Sequence, residues 1–269
     1  MCTIAILFGV ADAPLVIAAN RDELYARPTR PPEVLAPGIA GGVDVLSGGT
    51  WLAIRRDGRF VAVTNQRALQ TPPPGLRSRG LVVRELAEAA DPEAYVAALD
   101  PRRYASMNLA WGDADGVTIA YCRQATGERE LERLAPGIHV LCNDRLGAPG
   151  FPRCDRLKAA VEAGLAAATA WEPLSARLAT ALGDHTRVPI DGSAAASAPS
   201  SKRSYDDEPV SHLPPALAYE MTATCIHTEH YGTRSASLIA IERGRVAAYL
   251  HADGPPCTTP FVDRRSLLA

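Results

Sequence analysis

Four times along this chain, two short apolar runs face each other across a turn sequence. Thr3 to Val10 and Leu15 to Ala19 flank Ala11-Asp12-Ala13-Pro14, and Trp51 to Arg55 and Arg59 to Thr64 flank Asp57-Gly58. Asn108 to Gly112 and Val117 to Cys122 flank Asp113 to Gly116, and Ser235 to Ile241 and Arg245 to His251 meet at Arg243-Gly244. Such runs, partly β-branched and closed by Asp or Gly, are the mark of hairpins, and Asp-Gly supplies the positive φ of a tight turn. Consecutive hairpins build antiparallel sheets, whereas a parallel sheet needs a long crossover between strands. Helical spacing falls between the hairpins, in pairs. One pair is 81–90 with a short helix from Pro92, a residue suited to a first helical turn; the other is 153–170 with 173–182. A lone strand pattern covers His139 to Cys142. This order predicts an α+β chain of two largely antiparallel sheets covered by helices, as a single domain over 1–269. The Pro- and Gly-rich segment 25–49 is expected to be an irregular loop. The Ser-, Ala- and Pro-rich segment 191–209 is expected to be a mobile loop.

Composition excludes several classes. The net charge is −2 with Lys and Arg scattered, which argues against nucleic acid as a partner. Hydrophobic residues make up 47% of the chain, enough for an ordinary core. No run reaches the ~18 apolar residues of a membrane span, so no stable membrane insertion is expected. The first residues lack a basic stretch leading into an apolar run, so a secretory signal is not indicated. Six cysteines include no CxxC pair. A cytoplasmic protein with reduced thiols is the expectation. His227 and His230 flank Glu229, but a pair of loop histidines with no further converging ligands predicts no metal site.

Chemistry concentrates at the start of the chain. Removal of Met1 would leave Cys2 with a free α-amine and a thiol on one residue. Their ordinary pKa values, ~7.7–8.0 and ~8.5, are close enough for the amine to serve as base for its own nucleophile. Asn20-Arg21-Asp22-Glu23 ends the second strand of the same hairpin, which returns these residues beside Cys2. Asp22 is placed to hold an ammonium, and Asn20 and Arg21 to bind substrate. Asn65 and Asn143 follow strands and carry amides able to donate to a developing oxyanion. Arg234 precedes a late strand and suits a carboxylate or a polarised carbonyl.

Met1-Cys2-Thr3, Asn20-Arg21-Asp22-Glu23, Gly48-Gly49-Thr50-Trp51-Leu52, Thr64-Asn65, Ser78-Arg79-Gly80 and Tyr231-Gly232-Thr233-Arg234 together resemble the NRDE, or transport and Golgi organization protein 2-like, family. The resemblance runs from Met1 to about Leu250. A more distant one links the chain to the cysteine N-terminal-nucleophile (Ntn) amidases of the choloylglycine hydrolase and penicillin V acylase group. That likeness implies an Ntn-hydrolase-like αββα four-layer sandwich hydrolysing a linear amide. Cys2 would be the nucleophile, Asp22 would orient its amine, Asn65 and Asn143 would serve the oxyanion, and Arg234 would match a late active-site arginine. Those amidases carry an arginine where this chain has Ala19; Arg21 takes its place only if the strand register brings it to the Cys2 face. Membership of the NRDE family implies an alternative of another class, a carrier of haem or a lipid-like ligand. No cofactor is expected, the partner is a small molecule, and the sequence leaves the oligomeric state open.

Overall fold

In a computed structural model, residues 2–66, 73–189 and 215–269 are described. The expected mobile loop at 191–209 lies outside them. The first sheet has six strands in the order β10-β1-β2-β11-β12-β13: β10 Gly137–Leu141, β1 Cys2–Phe8, β2 Leu15–Leu24, β11 Tyr231–Glu242, β12 Arg245–Ala252 and β13 Val262–Asp263. The second has seven in sequence order: β3 Thr29–Ala36, β4 Ile39–Asp44, β5 Leu52–Arg55, β6 Phe60–Asn65, β7 Met107–Asp113, β8 Gly116–Cys122 and β9 Arg129–Arg133. Every neighbouring pair is antiparallel. The helices are α1 Arg79–Glu88, α2 Pro92–Ala98, α3 Pro152–Ala167, α4 Trp171–Leu182 and α5 Pro215–Glu220.

Alternation along the strands divides the interior into three apolar layers. Ile4 and Ile6 of β1 point toward the second sheet and join Ile17, Ile54, Phe60 and Ile119. Ala5 and Leu7 point the other way, against Leu157 and Val161 of α3 and Leu174 and Leu178 of α4. On the outer face of the second sheet, Val61, Leu109 and Ala120 pack against Val82, Val83 and Leu86 of α1 and Val96 of α2. The order helix, sheet, sheet, helix is the expected αββα sandwich. Strands such as β1 are buried on both faces, which is why they read as unbroken apolar runs. Ser78 caps α1 by accepting from the Gly80 amide, and Asp91 caps α2 with Pro92 at its first position.

Two expectations are corrected. Segment 25–49 contains β3 and β4 rather than an irregular loop. β3 is a sheet edge, where Pro31 and Pro32 remove no ladder bond to a further strand, and its register shifts between Arg30 and Glu33. Gly42 in β4 lies against the Trp51 ring, where a Cβ would come within 2.1 Å of a ring carbon. The thiols are not all free either, since Cys142 at the end of β10 is bonded to Cys154 in α3.

Candidate active site

Cys2 opens β1 and pairs directly with Arg21 of β2. Paired residues share a face, and this face is the one turned toward the second sheet. There the two sheets part around a cleft of about 510 Å³, lined among others by Cys2, Arg21, Glu23, Trp51, Asn65 and Arg79. Register therefore places Arg21 beside the thiol. Its guanidinium carbon lies over the Trp51 ring, 4.3 Å from the centroid, a cation–π contact. Its Nη2 is 3.9 Å from a Glu23 carboxylate oxygen, while its buried Nη1 has no hydrogen-bond partner among the described residues. A buried donor left this way favours an incoming oxygen.

The Gly-Gly-Thr-Trp-Leu and Ser-Arg-Gly motifs meet at the cleft wall. A Cβ on Gly49 would sit 2.4 Å from the Gly80 carbonyl carbon, and the Thr50 amide donates to the Gly80 oxygen at 3.0 Å. Only glycines allow the two backbones to cross so closely. The crossing aims the N-terminus of α1, with Ser78 and Arg79, into the cleft. The Arg79 Nη1 donates to the Ser106 carbonyl, and no carboxylate among the described residues pairs with it. Arg27 and Arg77 also line the cleft but are tied to Asp44 and Glu85.

Behind β2, on the face toward α3, lies a buried polar network. Arg153, 2% exposed, donates from Nη1 to the Asp22 carboxylate at 3.3 Å and from Nη2 to the Asn143 Oδ1 at 2.6 Å. The Thr233 hydroxyl donates to Asp22 at 2.7 Å. Asn143 in turn donates to the backbone carbonyl of Asn65 at 3.0 Å. Burial pushes the Asp22 carboxyl above the usual carboxylate range, with Arg153 acting against the shift. Burial likewise pushes the Cys2 thiol up, and the nearby Arg21 charge works in the opposite direction.

The sequence-derived residues thus divide. Cys2, Arg21 and the exposed Asn65 line the cleft, and Asp22 reaches its wall from the network side. Asn143 is buried one step behind Asn65 and braces it. Arg234 lies outside the cleft lining; its Nη1 donates to the carbonyls of Leu24, Tyr25 and Arg27, which holds the end of β2 in place. Asn20 is also outside the lining. It points to the helix side, where its amide donates to the Leu182 and Thr224 carbonyls, so a substrate contact does not suit it. Arg153 went unread in the sequence, because one of two arginines in an Ala-rich helix gives no sign of a partner 131 positions away.

A family model described as Transport and Golgi organisation 2 matches residues 1–251. A Bos taurus protein named Transport and Golgi organization protein 2 homolog is 31% identical over 245 residues, covering 85% of this chain and 82% of that one. The Homo sapiens protein of the same name is 29% identical over 240 residues with the same coverage. Among solved structures, a C2A mutant of conjugated bile acid hydrolase from Clostridium perfringens aligns over 100% of this chain and 94% of its own, at 11% identity and a TM-score of 0.47. A Caenorhabditis elegans ortholog of N-acylethanolamine-hydrolyzing acid amidase aligns over 89% of this chain and 92% of its own, at 8% identity and a TM-score of 0.45.

Proposed function

The chain belongs to the Transport and Golgi organisation 2 family, and we propose that it is an amidase that uses Cys2, freed by loss of Met1, to cleave a linear amide. The observation that carries this reading is the pairing of Cys2 with Arg21, both lining the cleft, with a buried Arg21 Nη1 that has no hydrogen-bond partner among the described residues. The Cys2 thiolate adds to the amide carbonyl, while the Arg21 guanidinium and the Asn65 side chain donate to the oxygen that gains charge. The Cys2 α-ammonium, formed as the α-amine takes up the thiol proton, protonates the leaving amine. Water, deprotonated by the same amine, then releases the acid from the thioester. Asp22, one residue beyond the Arg21 that pairs with Cys2, holds the ammonium, and Arg153 opposes the upward push that burial gives its carboxyl. Arg79 and the α1 N-terminus favour a substrate with an anionic group on the acyl or amine side.

The test is a panel of acyl amides with and without a carboxylate, assayed on protein whose intact mass shows whether Met1 is gone. Turnover by the processed chain that disappears in Cys2→Ala supports the amidase. A processed chain that turns over nothing, and binds haem or a fatty-acyl probe equally well with Cys2→Ala, replaces it with the carrier reading.

A further inference from the structure

On the far side of β2 from the cleft, three loop segments bring together two histidines and two cysteines. His185 follows α4, Cys225 and His227 precede β11, and Cys257 lies beyond β12. Their ligand atoms all fall within 4.8 Å of one another. The Cys225 and Cys257 sulfurs are 3.8 Å apart, and the His227 Nε2 is 3.6 Å from the first and 3.3 Å from the second. A tetrahedral zinc with bonds of ~2.3 Å to sulfur and ~2.0–2.1 Å to nitrogen has sulfur–sulfur edges of about 3.8 Å and sulfur–nitrogen edges of about 3.5 Å. The two sulfurs and the His227 nitrogen are spaced as that tetrahedron requires, and His185 stands within 4.8 Å of them as the fourth ligand. His185 adds a second, independent mark. Its Nδ1 lies 3.1 Å from the Cys225 carbonyl, which only accepts, so Nδ1 carries the proton and Nε2 presents a lone pair. Zinc-binding histidines are held in this way, by a carbonyl or carboxylate on the far nitrogen.

We propose that His185, Cys225, His227 and Cys257 form a structural zinc site. Two thiolates and two imidazoles in a closed tetrahedron select zinc over magnesium or calcium, which take oxygen ligands. With all four positions taken by side chains, the site has none open for substrate, so its role is to tie loops together. The tie lies next to the active-site scaffold. The Thr224 carbonyl, one residue before Cys225, receives Asn20 of β2, and Thr233, a few residues after His227, donates to Asp22. His230, the sequence partner suggested for His227, does not take part; it is exposed and meets Glu229.

The full chain, purified under reducing conditions from zinc-supplemented cells, is assayed for metal by mass spectrometry. It is then stripped and refilled with cobalt, whose visible spectrum reports tetrahedral thiolate ligation. Stoichiometric zinc and that spectrum are expected. Cys257→Ser should lose at least tenfold in retained zinc, while His230→Ala keeps the full amount. The exposed Cys257 is chosen so that the variant stays folded, which circular dichroism checks. Failure to retain or take up zinc by the parent, a Cys225–Cys257 disulfide under reducing conditions, or equal loss in Cys257→Ser and His230→Ala would overturn the proposal.

Discussion

Replacing Arg153 with Met keeps most of the side-chain length and deletes the guanidinium that bridges Asp22 and Asn143. The two charged side chains are 2% and 0% exposed, so solvent screening does not weaken the pair. Removing one partner of such a buried pair costs ~3–5 kcal/mol. The Asn143 Oδ1 also loses a charged donor at 2.6 Å, which keeps the estimate toward the upper end. Urea unfolding followed by Trp fluorescence should then show the midpoint falling by about 1–2 M. The pH dependence tests the cause. Burial already holds the folded Asp22 pKa above its unfolded value, with Arg153 in opposition. A carboxyl raised in this sense stabilises the fold fully below its unfolded pKa, and that contribution is lost as pH rises through the folded value. Without Arg153 the folded value climbs further. The deficit of Arg153→Met against the parent should therefore be smallest at acid pH, where Asp22 is protonated in both proteins, and should grow as pH rises. Against an Asp22→Asn background the same substitution should cost at least about 1 kcal/mol less. A deficit independent of pH, or simple additivity in the double variant, would refute the charge-pair account and leave only lost packing.

Gly49→Ala should lower the melting midpoint by several degrees, since the added Cβ meets Gly80 backbone that no rotamer change relieves, at a cost of ~1–3 kcal/mol; a variant melting with the parent would contradict the close crossing. His251 is buried, its Nδ1 2.9 Å from the Ser237 hydroxyl, and burial pushes it down to about 4. Its lowered folded pKa makes stability fall as pH drops from the ordinary histidine value to about 4, by roughly 3 kcal/mol. His251→Gln should flatten that part of a urea-midpoint profile, and an unchanged profile would assign the loss elsewhere.

The hairpins were legible because each carries its own turn chemistry and sits in a doubly buried sheet. β3 and β4 were not, since Pro31, Pro32, Gly41 and Gly42 read as loop punctuation until a sheet edge and a close-packed Trp51 give each a reason. β9 escaped notice because Arg129 to Arg133 is mostly charged, as suits the opposite edge of the same sheet. Cys2 and Asp22 could be brought together from the hairpin alone. The face each occupies needed the register, which sends Arg21 to the cleft and Asn20 and Asp22 toward α3. The histidine–cysteine cluster had no local signature, because its four members come from three segments joined only by the fold.

The bond between Cys142 and Cys154 has a bearing on how the polar network assembles. Asn143 follows the first cysteine and Arg153 precedes the second, so the cross-link closes a short loop whose ends carry two members of that network. In the unfolded chain, a loop of about this size restricts the ensemble by ~3 kcal/mol in the chain-entropy description. The amide and the guanidinium therefore meet at high effective concentration before the two sheets have docked. What remains to be found across long sequence distance is Asp22. The oxidation state of this one cysteine pair, set in the layer under α3, thus decides whether the wall behind the nucleophile strand starts from two pieces or three.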